Sequence, residues 1–387
     1  MTTHQRPKIL IVHSTLHIGG AEEVTATLCR HLDKARFDVA VCCLKEKGIV
    51  GEKIAAEGTE VFAIQRSRRF RADYFTSIGL RDAVRKRQVK LLHSHDVHAL
   101  SDSTICRLTT SGIRTIHTFH YGGYPNREKT ARTIEALCWR FVDQPVAVSH
   151  VQKDKLSDYY RISEKRITVI RNGVDRQPSG AEPVFIRQFR EQGKTVIGSI
   201  NTLIEQKGMF HLLETAALLK RQGIKDHVFL IAGEGHLRAA LEERRHALGI
   251  DDDVVFLGWI QDAPRVMMDH VDIFFQPSLW EAMSMVLLEA MAAGRAIVAT
   301  RVGETPLVLQ NGMSALLVDP GDVPAMASSL TRLLSDSGLR ALLGAAAAER
   351  YETEFTARVM ANNYMALYDD LLARRTRNRF VLGSKPV

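Results

Sequence analysis

The stretch Gln276–Gly294, QPSLWEAMSMVLLEAMAAG, decides how the rest of the 387-residue chain is read. The apolar run Val271–Phe275 before it predicts a strand, Pro277 ends that strand in a turn, and a second apolar run from near Ser284 predicts a helix. Glu281 and Glu289 then bracket the helix N-terminus, Glu281 in the loop and Glu289 facing out between the first two turns. The free backbone N–H groups of Met283, Ser284, Met285 and Val286 lie between the two carboxylates. A helix N-terminus attracts an anion, and carboxylates accept hydrogen bonds from hydroxyls. The pattern suits a molecule with an anionic middle and hydroxyl-bearing ends, the layout of a nucleotide sugar. On spacing alone, a capping glutamate and a solvated helical glutamate explain the pair more simply.

Outward from this segment, apolar runs alternate with amphipathic stretches, the pattern of repeated β-α units around a parallel sheet. Strands are predicted at Lys8–Ser14, Phe37–Leu44, Thr59–Ile64, Val89–His95, Ile113–Phe119, Pro145–Ser149 and Ile167–Gly173. Arg176–Glu191, with Pro178, Ser179, Gly180 and Pro183 and no clear period, reads as linker. The pattern restarts with strands Thr195–Ile200, His227–Gly233 and Val254–Gly258. This gives a first domain over residues 1–176, a linker over 177–193 and a second domain over 194–354. Gly19 and Gly20, between the first strand and a helix beginning at Ala21, allow a phosphate or sugar close to the backbone. No G-x-G-x-x-G follows, so this is not a dinucleotide fingerprint.

The strand ends of the first half are rich in imidazoles: His93, His95, His98, His117 and His120. In open α/β sheets such ends line the ligand crevice. Neither zinc-type spacing nor acids besides Asp96 accompany them, so sugar or phosphate recognition is a better reading than a metal cluster. Asp251–Asp253 contains a D-x-D but precedes a strand, and reads as a solvated turn.

Composition sets outer bounds. With 45% hydrophobic and 25% charged residues the chain is ordinary for a soluble protein. Its five cysteines lack metal-ligand spacing and read as reduced, pointing to the cytoplasm. No signal peptide is legible at the N-terminus, and no apolar run reaches the ~20 residues of a membrane span. Residues 1–178 carry 30 Lys and Arg against 19 Asp and Glu, so the positive charge is concentrated in the first half. Arg68, Arg69 and Arg71, followed by Arg85, Lys86 and Arg87 on a helix predicted over Tyr74–Gln88, form either a surface for anionic lipid or a phosphate-bearing acceptor, or a solvated helix face. No recognition motif for nucleic acid accompanies the charge.

Pro277-Ser278, Trp280-Glu281, Leu288-Glu289-Ala290-Met291-Ala292-Ala293-Gly294 and the continuation through Thr300 closely resemble the Glu-x7-Glu signature of the family 4 retaining glycosyltransferases. Gly19-Gly20-Ala21-Glu22, Val148-Ser149-His150 and Ile170–Asp175 resemble that family's glycine loop and the closing elements of its first domain. The resemblance implies an α/β protein of GT-B fold: two Rossmann-like domains facing an interdomain cleft, with a C-terminal helix at about 355–375 packing back on the first domain. It also implies transfer of a sugar from a UDP- or GDP-linked donor to an acceptor hydroxyl with retention, without metal or other cofactor. The acceptor expected is a carbohydrate or a lipid-linked sugar of cell-surface polysaccharide, lipopolysaccharide or glycolipid synthesis. The place of action expected is the cytoplasm, on the inner face of the membrane.

By the same resemblance His117, Lys207 and Glu281 are the catalytic positions, and Gly19, Gly20, Thr202, Lys207, Gly233, Glu281, Met283, Ser284, Met285 and Glu289 hold the donor. Two departures stand out. Thr202 occupies the position of an arginine that contacts the diphosphate, and Glu304 and Leu307 replace a glycine and an acid in a following turn. A non-catalytic sugar-nucleotide-binding protein and an epimerase of the same fold therefore remain as alternatives.

Overall fold

The computed structural model describes residues 6–64, 76–122, 128–176 and 180–374. The chain divides into two compact units, one formed by Met1–Gly173 with Ala357–Val387 and the other by Val174–Thr356.

The first unit is built on β1 (Lys8–Thr15), β2 (Asp38–Glu46), β3 (Glu60–Ala63), β4 (Leu91–Ser94), β5 (Arg114–Phe119), β6 (Gln144–Ala147) and β7 (Thr168–Val169). They form one parallel sheet in the order β3-β2-β1-β4-β5-β6-β7. Ile9–Val12 are fully buried, as a strand covered by helices on both faces requires. Leu10, Val12, Leu92 and Cys106 share one core with Leu80 and Val84 of the helix Thr76–Lys86. That helix lies inside the predicted Tyr74–Gln88, of which residues 74 and 75 fall outside the described residues.

The second unit carries β8 (Thr195–Ile200), β9 (His227–Ala232), β10 (Val254–Gly258), β11 (Ile273–Gln276), β12 (Ala296–Thr300) and β13 (Leu316–Val318). Their order is β10-β9-β8-β11-β12-β13, again parallel. Ile197, Phe229, Phe275 and Val298 pack with Leu213 and Leu330 of flanking helices. In both sheets the strand order reverses once, between β1 and β4 and between β8 and β11. A crevice opens outside the strand ends at such points, so they are where a ligand site belongs.

The stretch read as linker holds a helix, Val184–Glu191, entered through Pro183. Ile186 is its buried residue, with Phe185 and Phe189 half-buried on the same face; the stripe is two turns long, and Pro178, Ser179, Gly180 and Pro183 just before it turn the reading towards a linker.

The helix Ala357–Ala373 belongs to the first unit, against Gly20–His31. Tyr364 and Tyr368 are almost fully buried there. The Tyr368 hydroxyl lies 2.8 Å from His93 Nδ1, His93 Nε2 lies 2.8 Å from Thr118 Oγ1, and Thr118 Oγ1 lies 3.1 Å from the Tyr364 hydroxyl. This chain of polar groups satisfies side chains that would otherwise be orphaned in an apolar core. Tyr368→Phe is expected to strand His93 Nδ1 and cost about 1–3 kcal/mol, seen as a lower urea midpoint; an unchanged midpoint would show that the hydroxyl is dispensable.

Candidate functional site

At the reversal point of the second sheet the loops after β8 and β11 meet. After Gln276 the chain turns through Pro277, and Ser278 is held by Thr300 Oγ1, which donates to its carbonyl at 2.6 Å. Glu281, only 6% exposed, is the focus of this loop. Its Oε1 accepts from Lys207 Nζ at 2.6 Å, Ser278 Oγ at 2.9 Å and Gln276 Nε2 at 3.4 Å, and its Oε2 accepts from Gln206 Nε2 at 3.2 Å. Removing a carboxylate and an ammonium from water is costly, and here the additional donors offset that cost.

Gly208 makes this convergence possible. It ends the 3₁₀ turn Glu205–Lys207 at φ +64°, and a Cβ there would collide with the Pro277 carbonyl. Leu279 N–H donates to the Gln206 carbonyl at 2.7 Å, joining the two loops. From the other side the Gly303 backbone approaches the carbonyls of Glu281 and Ala282, and Glu304 N–H donates to Ala282 O at 3.0 Å. Glu304 is buried in this turn, while Leu307, at the position expected to hold an acid, is 45% exposed.

The helix follows at Met285–Ala292, with Ser284 as its N-cap: Ser284 Oγ accepts from Leu287 N–H at 3.3 Å. Met283 is buried, Met285 half-buried, and Glu289 also half-buried rather than facing out. Thr202 is exposed at the start of the β8 loop. Gly233 packs its backbone on the carbonyl of Asn201, so close chain packing accounts for glycine there. Asp251 pairs with Arg245 at 3.2 Å and Asp253 with Lys220 at 2.8 Å. Among the described residues no group of three or more His, Cys, Asp or Glu side chains could hold a metal ion.

In the first unit the ends of β1 and β4 are tied by Asp96, which accepts from Ser14 N–H and Ser14 Oγ, each at 2.6 Å, and caps Val97–Thr109 through Ala99 N–H. Gly19 is the extended residue before the helix Gly20–His31, and the Glu22 carboxylate folds back over it. Burial raises the Glu22 pKa. His117 is buried on β5, its Nδ1 2.9 Å from Ser94 Oγ and its ring edge-on to Phe119. Around it stand His13, His93, His95 and His120, with His13 Nε2 2.7 Å from Thr25 Oγ1 and His95 Nδ1 2.9 Å from His120 Nε2. The contact between His95 and His120 is one that sequence reasoning missed. The two residues lie on different segments, and only the register of β4 beside β5 unites them.

Of the basic residues, Arg85 donates to the Thr109 carbonyl at 3.0 Å, and Arg87 pairs with Glu60 and covers the Phe62 ring. Lys86 is exposed. Arg68, Arg69 and Arg71 lie outside the described residues. No described helix is long and apolar enough to cross a membrane.

Burial pushes the imidazoles of His13 and His117 down to about 4 and that of His120 down to about 3, with Asp96 pulling each the other way; His93 and His95 are also held well below 6.5, by burial first. All five are therefore neutral in the folded unit. Unfolded chain takes up these protons near 6.5, so their contribution to stability is fully present above 6.5 and is lost as the pH falls below it, down to about 4 for His13 and His117 and about 3 for His120. The slope is about 1.4 kcal/mol per pH unit for each imidazole. Urea midpoints measured from neutral to pH 5 are expected to fall steeply; a flat profile would contradict burial of the cluster.

Residues 18–177 match the family described as Glycosyltransferase Family 4, and residues 183–350 the family described as Glycosyl transferases group 1. An uncharacterized glycosyltransferase of Methanocaldococcus jannaschii is 28% identical over 65% of this chain and 67% of its own length. The UDP-Gal:alpha-D-GlcNAc-diphosphoundecaprenol alpha-1,3-galactosyltransferase of Escherichia coli is 22% identical over 87% of this chain and 90% of its own. The crystal structure of Anabaena HepE in complex with UDP and glucose superposes with a TM-score of 0.80 at 18% identity, covering 95% of this chain and all of HepE. Two parallel sheets of this topology, and family matches that together span most of the chain, lead to one conclusion: the protein is a glycosyltransferase of the GT-B fold, related to the group 1 and family 4 glycosyltransferases.

Proposed function

We propose that the chain transfers a sugar, with retention at the anomeric carbon, from a UDP- or GDP-linked donor to a hydroxyl of a carbohydrate or lipid-linked acceptor in cell-surface polysaccharide, lipopolysaccharide or glycolipid synthesis. The observation that carries this reading is the Lys207–Glu281 pair at the reversal point of the second sheet. In the reaction, the bond from the anomeric carbon to the diphosphate breaks, the acceptor oxygen bonds to that carbon, and the acceptor proton passes to the departing phosphate.

Charge accumulating on the diphosphate is the main barrier for the protein to lower. Lys207 supplies a cation, with the N–H groups at Met283–Val286 and at Gly19 and Gly20 as further donors. Glu281 accepts from hydroxyls of the donor sugar, Glu289 from the ribose, and His117 orients the sugar. For Lys207 to turn towards a phosphate it must leave Glu281. Ser278, Gln276 and Gln206 keep that carboxylate hydrogen-bonded when it does, which lowers the cost of the exchange.

The lipid-linked acceptor is supported by the name of the Escherichia coli relative, a diphosphoundecaprenol-directed transferase. With it goes action on the inner face of the membrane, where exposed Lys86 would meet anionic lipid. Thr202 favours one other reading, a protein that binds the donor without turnover.

Thermal unfolding with nucleoside diphosphates and their sugars is expected to show one stabilising donor, with the shift lost in Glu289→Ala. With that donor, Lys207→Ala is expected to slow transfer by roughly 10²–10³, and Thr202→Arg to speed it. Tight donor binding with neither transfer nor hydrolysis would establish the non-catalytic reading instead.

A further inference from the structure

His95 lies at the end of β4 and is 3% exposed. Its ring is nearly parallel to those of His13, 4.8 Å away at 13°, and His120, 5.1 Å away at 19°, and the ring of His93 is 4.1 Å away. Its Nδ1 faces His120 Nε2 at 2.9 Å, and its Nε2 is buried without a hydrogen-bond partner among the described residues. His120, just beyond β5, is partly exposed.

A neutral imidazole has one N–H and one bare nitrogen. A proton on His95 Nε2 would be an orphaned buried donor, the rarest kind of unsatisfied group in folded proteins. A proton on Nδ1 is instead donated to His120. His120 Nε2 must then be bare, so the one proton of its neutral ring sits on Nδ1. Charging His120 would set two N–H groups against each other unless His95 moved its proton to the orphaned position. The titratable groups around the pair are His13, His93, His117 and Asp96, of which only Asp96 is acidic.

We propose that His95 is a positioning residue that fixes His120 in the tautomer protonated at Nδ1, so that His120 offers a neutral hydrogen-bond donor to a substrate oxygen. A neutral N–H donates to any oxygen acceptor; its assigned partner is a hydroxyl or ring oxygen of the sugar, and a phosphate oxygen in its place would show as an equal loss of nucleoside diphosphate affinity in His95→Leu. The identity of that ligand rests on the transferase reading; the tautomer does not.

The experiment is long-range ¹H–¹⁵N NMR on the full chain with labelled histidine, His120 being assigned by His120→Gln. The expected spectrum places the proton of both His95 and His120 on Nδ1. His95→Leu is expected to release His120 into the other tautomer and to weaken nucleotide-sugar binding roughly five- to tenfold, leaving binding of the nucleoside diphosphate unchanged. His95→Asn, whose amide can still donate, should restore most of it. A His120 proton on Nε2 in the wild-type chain overturns the proposal, as does a folded His95→Leu protein with wild-type sugar-nucleotide affinity. If His95→Leu does not fold, the wild-type spectrum and His95→Asn decide. Failure of the wild-type chain to bind any nucleotide or nucleotide sugar would count against the transferase reading and leave the tautomer assignment standing.

Discussion

The second unit is arranged so that one buried carboxylate is never without donors. Glu281 draws Lys207 and Gln206 from the loop after β8 and Gln276 and Ser278 from the end of β11. Those donors can converge only because Gly208 lets the first loop rest on the Pro277 carbonyl and Gly303 lets the next turn rest on the loop from behind. An ionised side chain in this position is tolerable only if its surroundings are built to accept it. The loop conformation and the helix entry at Ser284 follow from that requirement.

The first unit handles its own reversal point differently. Where the second unit has an ion pair, the first has neutral rings in contact beside the acid Asp96, which is anchored to Ser14 and Ala99. Imidazoles give directional hydrogen bonding with little net charge when buried.

Much of this was legible in the sequence because parallel strands buried on both faces read as continuous apolar runs. Thr195–Ile200 and Val254–Gly258 have the limits expected, and Ser284 marks its helix as a capping residue should. Lys207 and Glu281 could each be named, but not their pairing: 74 residues separate them, and no local pattern encodes a contact between two loops. The helix Val184–Glu191 was hidden by the prolines and glycine just before it and by its length of only two turns, although Phe185, Ile186 and Phe189 line one face. Arg87 looked like free surface charge, whereas the structure occupies it with Glu60 and Phe62, since a guanidinium finds partners that composition cannot reveal.

The return of Ala357–Ala373 to the first unit sets the order in which the protein can be made. The sheet of residues 8–169 leaves the ribosome with His93 and Thr118 still lacking the hydroxyls of Tyr368 and Tyr364. All of Val174–Thr356 must be synthesised before they arrive, a delay of roughly 10–40 s at ordinary translation rates. The second unit, continuous in sequence, can therefore finish folding while the first, although it emerged earlier, is still an incomplete intermediate with an uncovered helix-binding face. In the nascent chain it is the N-terminal half that waits longest for its last element, and truncation near the C-terminus damages the part of the protein made first.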